Sequence, residues 1–257
     1  MLRQPGSGAA TTTRTRRWFS GPPCTTGLGT VRRVTTVVVA CWLALSGVAT
    51  VLAGTFRDDF EDGDLDGWTA LVAPAGLWEL VDGGVQCERR SGVSAILIVG
   101  DAGWSDYTID YDILLLESHG AADLDVIARF GGWWTSLYLF GVGDVDGGAF
   151  VYRAPGGKQA SEPLPAPALD AWHHVRLDAQ GDQFTLSLNG EEVLRYTDDA
   201  IPTGGVGIGQ ANYTARFDNV EITGPEVPDV TPPTWSPRVV SPAAGLATTW
   251  GRMKSGE

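Results

Sequence analysis

The chain has 257 residues, among them 34 Gly, 15 Pro, 3 Cys and 2 Met, and carries a formal net charge of −13. Hydrophobic residues make up 43% and charged residues 19%, which excludes a disordered or collagen-like chain and suffices for one packed core. Residues 1–54 hold six Arg and no acid, whereas residues 55–224 hold 28 acids against nine bases. A body this acidic repels phosphate backbones, so nucleic acid is excluded as a partner.

The first element in chain order is an apolar, uncharged run of 21 residues, Val34 to Gly54, directly after Arg32 and Arg33. A basic region, an apolar stretch and small residues at its end predict a secretory signal cleaved after Ala53. The run is also long enough for an uncleaved anchor, since about 20 residues span a bilayer. In either case the body is expected to be secreted or extracytoplasmic, with residues 34–54 as the sole contact with the membrane. Val38–Cys41 resembles a lipoprotein cleavage box, but the chain stays apolar for ten residues after Cys41. Thr15–Phe19 resembles a twin-arginine signal set too far ahead of the apolar run. Downstream only Cys87 remains, within a strand-like Val85-Gln86-Cys87-Glu88, and it reads as a buried structural thiol.

From Thr55 to Gly224 short apolar runs recur between Gly, Asp, Asn and Pro, without helical periodicity. Trp78–Val81 and Val85–Glu88 flank an Asp82-Gly83-Gly84 turn. Tyr107, Ile109, Tyr111 and Ile113 alternate with polar residues, the period-2 pattern of a half-buried strand. Val175–Asp178 and Phe184–Asn189 alternate likewise, and Asn189-Gly190 predicts a two-residue hairpin turn needing positive φ at both positions. Gly205–Gly209 reads as a close-packed strand. About a dozen strands at this spacing predict an all-β fold of two packed antiparallel sheets. The predicted organisation is therefore an extension and export segment (1–54), a β-sandwich (55–224) and a Pro-rich linker with a tail (225–257). The Leu246–Lys254 end of that tail is either disordered or a docking tag.

The order of these pieces resembles a known superfamily. Asp58–Trp68 resembles the opening of concanavalin A-like lectin/glucanase jelly rolls. Trp78–Gly84, Trp104–Tyr107, Arg129 with Tyr138, Trp172–Val175, Leu188–Gly190, Gly205–Gly209 and Phe217–Val220 follow in the matching order. The likeness covers about 55–223 and is nearest to laminin-G-like and 3-keto-disaccharide hydrolase-type members. It implies a jelly-roll sandwich that handles poly- or oligosaccharide. It also implies a structural Ca²⁺ held by Asp59 and Asp218, with a bulge between Phe217 and Val220 turning Asp218 outward.

Laminarinase-type members place three acids on one strand, and the nearest segment here is Asp123–Arg129. Asp123 and Asp125 stand where the first two acids belong, but Ile127 or Ala128 replaces the proton donor, and Arg129 cannot donate its proton. The segment is better suited to binding. Strict alternation puts Leu124, Val126, Ala128 and Phe130 in the core and Asp123, Asp125, Ile127 and Arg129 outside. In the next strand Leu137 and Leu139 are expected in the core, with Trp134, Ser136, Tyr138 and Phe140 outside, Trp133 at the tip, and Tyr152 and Arg153 extending the surface. Aromatic rings beside charged groups suit a sugar, rings stacking on C–H faces and charges bonding hydroxyls. The alternative is a loop-covered face on which Arg129 pairs with Asp125.

Asp62, Asp64 and Asp66 match half an EF-hand loop, but Ala73 occupies the position that requires a bidentate Glu. His173 and His174 fall on opposite strand faces and His119 in a loop, which disfavours zinc. The expected function is a non-catalytic, extracytoplasmic carbohydrate-binding or adhesion module, its candidate residues being Asp125, Arg129, Trp133, Trp134, Tyr138 and Tyr152. A sugar-processing enzyme of the 3-keto-disaccharide hydrolase type, using Asp125, Arg129, Glu117 or His119, is the first alternative. A surface-displayed spacer is the second.

Overall fold

The computed structural model describes residues 53–72, 77–81, 84–132, 134–233 and 235. Residues 34–52 of the expected export segment, Trp133 and the Leu246–Lys254 tail lie outside the described residues, while Gly54, placed at the end of that segment, opens the first strand. The elements are all strands: β1 (Gly54–Asp58), β2 (Thr69–Leu71), β3 (Trp78–Val81), β4 (Gly84–Glu88), β5 (Ala95–Val99), β6 (Tyr107–Gly132), β7 (Ser136–Gly143), β8 (Gly148–Ala154), β9 (Gly157–Pro163), β10 (Ala171–Gln180), β11 (Gln183–Leu188), β12 (Glu191–Thr197) and β13 (Gly205–Gly224). Among the described residues no helix is long and apolar enough to cross a membrane.

Two long strands make the architecture. β6 and β13 pair antiparallel along most of their length, and the ladder shifts register between Ala211 and Tyr213. Before that break β6 neighbours β10; beyond it β6 neighbours β7. One layer therefore runs β12-β11-β10-β6-β13-β4-β3, with β1 beside the end of β13, and is called the β10 layer. The other runs β9-β8-β7-β6-β13-β5-β2 and is called the β7 layer. Their inner faces meet in the main core, where Tyr138 of β7 lies 4.8 Å from Phe184 of β11, centroid to centroid. Tyr111 and Phe217 stack at 6.0 Å in the same interior. Each such ring contributes about 1.5–3 kcal/mol by leaving water.

Local chemistry agrees with the expected strands. The Asn189-Gly190 turn has φ of 53° and 81°, the left-handed geometry that a tight hairpin requires. Cys87 is fully buried, and burial pushes its thiol up to about 11. The bulge near Asp218 is present: the ladder shifts between Asp218 and Glu221, and Asn219 has φ of 53°.

The Pro-rich segment differs from a detached linker. Val230 exchanges backbone hydrogen bonds with β1, its N–H donating to Thr55 O (2.9 Å) and its carbonyl accepting from Arg57 N (2.7 Å). Val227 is buried against the core. An extended, proline-studded chain can still run along an outer strand where no interior ladder is interrupted.

Candidate functional site

A second apolar cluster, separate from the main core, covers the outer face of the β7 layer. It joins Ile96 and Ile98 of β5, Ile127 of β6, Leu137 and Leu139 of β7 and Phe150 of β8. Missing side chains make room for it. A Cβ on Gly209 would meet Ile96 Cδ1 at 2.3 Å, and one on Gly141 would meet the Phe150 ring at 2.2 Å. Asp125 lies between these two glycines in the ladder. Ile96 and Phe150, packed over its neighbours, seal it completely, and it is 0% exposed.

Beside this cluster opens a cavity of about 260 Å³, whose walls include Ser94, Asp123, Trp134, Leu139, Asp146, Phe150 and Tyr152. Its rim is greasy: Val93, Trp134 and Val145 are each 45–48% exposed, and together they are three of the seven exposed large apolar side chains among the described residues. Asp123 enters from β6, two residues before Asp125 and on the same face. Asp146 comes from the turn between β7 and β8, and Tyr152 from β8 opposite Leu139.

The polar groups here are poorly satisfied. Both carboxylate oxygens of Asp125, Oδ1 of Asp123 and Oδ2 of Asp146 are buried without a hydrogen-bond partner. Lys158 of β9 holds the other Asp146 oxygen at 2.8 Å. Burial, then the neighbouring Asp125, Asp146 and Asp144, push the Asp123 carboxyl far above the usual carboxylate range. Burial also raises Asp125, and the nearby Ser94 hydroxyl offsets part of that rise. Two acids this close take up protons as a pair. Burial, with Asp146 beside it, raises the Tyr152 phenol as well.

A larger cavity of about 520 Å³, lined by Phe56, Val99, Trp104 and Pro228 among others, is chemically different. Its acids are occupied, Asp101 accepting from Gly103 N and Glu226 from Ser105.

The sequence-predicted residues divide. Asp125, Trp134 and Tyr152 come together on or beneath the outer face of the β7 layer, whereas Tyr138 and Arg129 do not join them. In β7 the expected faces are reversed: Tyr138 and Phe140 point into the main core, and Leu137 and Leu139 point outward. All four are apolar or aromatic, so alternation carries no contrast. The ladder decides, because Tyr138 opposes the inward-facing Ala128. Tyr138 is 0% exposed and donates its hydroxyl to Asp198 at 2.7 Å.

Arg129 is displaced by a bulge. The β6–β7 register shifts between Ala128 and Gly132, and Arg129 has φ of 54°, which turns its side chain into the interior and leaves Phe130, expected in the core, packed against the outer cluster. It is 1% exposed, with its guanidinium 5.6 Å from both the Tyr107 and Phe184 rings. Nη2 donates to Gly181 O (3.2 Å) and lies 3.8 Å from Asp106. It therefore pairs with neither a ligand surface nor Asp125. Arg153, opposite Tyr138, pairs with Asp198 instead of extending the surface.

Asp59 and Asp218 are both buried at one end of the β1–β13 ladder, next to the Asp58–Val220 pair. Among the described residues no group of three or more His, Cys, Asp or Glu side chains is placed to hold a metal. A calcium there would have to draw its remaining oxygens from carbonyls. His119 lies in β6 itself, 2.8 Å from Thr214 Oγ1. His173 points inward to Ala168 O, and His174 outward between Asp110 and Asp112.

Asp146, Phe150, Val93 and Val145 escape a reading of the sequence alone. Asp146 has a faint signal in Gly143–Gly148, a turn with two acids, but only the β7–β8 pairing carries it to Asp123.

A family model described as the 3-keto-alpha-glucoside-1,2-lyase-like domain matches residues 55–223. Among solved structures, the chain is similar to the carbohydrate-binding module CBM66 from Bacillus subtilis: 22% identity, covering 60% of this chain and 94% of that one, TM-score 0.51. It is similar at 12% identity to a Bacillus subtilis protein with a galectin-like fold (65% and 94% covered, TM-score 0.51). A non-specific endo-beta-1,3(4)-glucanase from family GH16 is also 12% identical (68% and 92% covered, TM-score 0.51). These likenesses fit the concanavalin A-like jelly-roll superfamily, and at such identities they speak to the fold alone. No curated protein matches the chain.

Proposed function

The chain belongs to the 3-keto-alpha-glucoside-1,2-lyase-like domain family, and from that premise we propose that it is an extracytoplasmic module that binds carbohydrate in the cavity beside β6, β7 and β8. One observation carries this reading: buried carboxylates with fewer protein partners than their oxygens can take line or underlie a cavity with an exposed apolar rim. A buried polar group left unsatisfied costs about 1–3 kcal/mol, a cost that ligand hydroxyls can remove. Trp134, Val93 and Val145 supply the apolar contact that sugar C–H faces favour, and Asp123, Asp146 and Tyr152 supply polar partners. The test is calorimetric titration of the full chain with a panel of oligosaccharides, alongside Trp134→Ala. Binding that disappears in the variant supports the reading; no binding by any member of the panel overturns it.

A second reading, catalysis on an oxidised sugar, has its own support. Asp123 and Asp125 share one face, and burial raises both carboxyls, so the pair can hold a proton near neutral pH, as an acid–base group requires. Asp123, which lines the cavity, would take a proton from the sugar carbon and return it to the departing oxygen, with the sealed Asp125 behind it setting the proton affinity of the pair. Turnover of 3-keto-glucosides, abolished in Asp125→Asn, would establish it; inert wild-type protein that still binds sugar would exclude it.

A structural calcium at Asp59 and Asp218 is a separate proposal. It predicts a melting temperature that rises with calcium and falls with chelator in the wild type, and neither change in Asp218→Ala.

A further inference from the structure

The cavity carries an imbalance of hydrogen-bonding groups. Its acceptors are the carboxylates of Asp123 and Asp146, with Asp125 sealed directly behind Asp123. Its side-chain donors are few and mostly engaged: the Ser94 hydroxyl serves Asp125, the Tyr152 hydroxyl and Lys158 serve Asp146, the Trp134 indole stands at the rim, and Asp123 donates only while it holds a proton. A neutral sugar hydroxyl brings one donor but also two acceptor lone pairs that would find few partners. An ammonium group brings three donors and no acceptor, and its bonds to carboxylates are charge-assisted and about twice as strong as neutral ones. A bare metal ion is a poorer occupant, since no three acid, His or Cys side chains among the described residues are placed to ligate one.

Size and surroundings point the same way. A space of about 260 Å³ is below the roughly 300 Å³ at which sites for drug-sized ligands begin, so it takes one residue of a glycan and not a run of them. The acidic body, with 28 acids to nine bases over residues 55–224, draws cations toward its surface. We propose that the cavity selects an amino sugar, a hexosamine residue with a free, protonated amine, seated with its ammonium on Asp123 and Asp146 and its ring against Trp134. This rests on the carbohydrate reading above and narrows it to a substrate class.

The groups that set the pH response come from every neighbouring element. Asp123 and Asp125 belong to β6, and Asp144 and Asp146 to the β7–β8 turn. Tyr152 lies on β8 and Lys158 on β9, and Arg89, before β5, donates to Val93 O at 2.9 Å. Tyr213 of β13 and Tyr111 of β6 stand on the core side near the acids. An ammonium binds the ionised pair, so binding competes with protons already held there.

The experiment is calorimetric titration of the full chain with short glucosamine oligomers, their N-acetylated counterparts and neutral gluco-oligomers, at pH 5, pH 7 and pH 10 and fixed ionic strength. The amine-bearing oligomers are expected to bind about tenfold more tightly than the others near pH 7, and to lose most of that advantage at pH 5, where the acids hold protons, and at pH 10, where the amine has lost its own. Asp123→Asn is expected to remove the preference while residual neutral-sugar binding persists through Trp134, with unfolding curves showing that the variant is folded. Equal affinity for N-acetylated and free amines, or no pH dependence, overturns the amino-sugar assignment and leaves the carbohydrate reading standing. Absence of binding by all three sugar classes overturns both.

Discussion

The two outer faces of the sandwich carry similar numbers of acids and use them in opposite ways. On the β10 layer the ladder sets His174 opposite Asp112, Arg176 opposite Asp110 and Asp178 opposite Thr108. Each acid finds a partner: His174 Nδ1 to Asp112 at 2.9 Å, Nε2 to Asp110 at 3.1 Å, Arg176 Nη2 to Asp178 at 2.9 Å, and Asn219 Nδ2 to the second Asp112 oxygen at 2.7 Å. On the β7 layer Asp125 faces Gly141 and Gly209, and Asp123 faces Gly143 and Ala211. Glycine and alanine offer no charge and occupy little space. Cross-strand neighbours thus decide whether an acid meets a charged partner across the sheet or is left without one.

The sharpest way to break that contrast is to remove the ring that seals the acids. Phe150 is 1% exposed and rests over Gly141, so Phe150→Ala should lose about 3–5 kcal/mol of stability and the sugar affinity with it. Denaturant unfolding checks the first, and titration of the folded fraction the second. A loss under about 1 kcal/mol would mean that the outer cluster is not packed as described.

The next effect is pH-linked. A carboxyl whose folded-state pKa is raised holds a proton that the unfolded chain has released, so stability falls as pH rises from the unfolded value toward the folded one. For Asp125 that window runs from about 4 to about 7. Each tenfold difference in proton affinity between the folded and unfolded chain corresponds to about 1.4 kcal/mol, and Asp123, raised with it, extends the fall to higher pH. Asp125→Asn should flatten this fall and be more stable than wild type at pH 8 while binding less sugar. A variant less stable than wild type at pH 8 would show that the carboxylate has a protein partner.

Trp134 gives a smaller, cleaner separation. Exposed and on the rim, its truncation should change stability by no more than about 0.5 kcal/mol while weakening sugar binding about tenfold, or about 1.4 kcal/mol. Equal affinity in Trp134→Ala would move the ligand elsewhere on the surface.

Much of the fold is legible in the sequence because strands with one wet face advertise themselves. Tyr107–Ile113 and Val175–Asp178 alternate cleanly, Asn189-Gly190 names its own turn, and Phe217–Val220 announces a bulge by its spacing. The site is legible only in part. Asp125, Trp134 and Tyr152 read as one surface, but Leu137–Phe140 is apolar on both faces, and only pairing with β6 distinguishes them. Arg129 defeats strict alternation for a different reason: one residue in the left-handed region moves its side chain from one face to the other, and nothing in the neighbouring Ala128 or Phe130 signals that. The cavity itself depends on Asp146 and Val93 arriving from distant segments, which no local pattern encodes.

The smallest expected effect lies on the paired face and tests it directly. Both imidazole nitrogens of His174 meet carboxylates, which requires the doubly protonated ring, and the hydrogen bonds it donates to Asp110 and Asp112 hold its pKa up at about 9. A raised histidine contributes stability that is complete below its unfolded value, near 6.5, and is lost as pH climbs through about 9. The side chain is 39% exposed, so solvent screening limits the contribution to under about 1 kcal/mol. His174→Gln should therefore lower the melting temperature slightly at pH 6 and leave it unchanged at pH 10. It should also leave the steeper decline below pH 7 in place, since that decline belongs to Asp125 on the opposite face. If the glutamine variant instead removed the decline between pH 4 and 7, the two faces would be coupled, and the division between acids with and without a charged partner would fail.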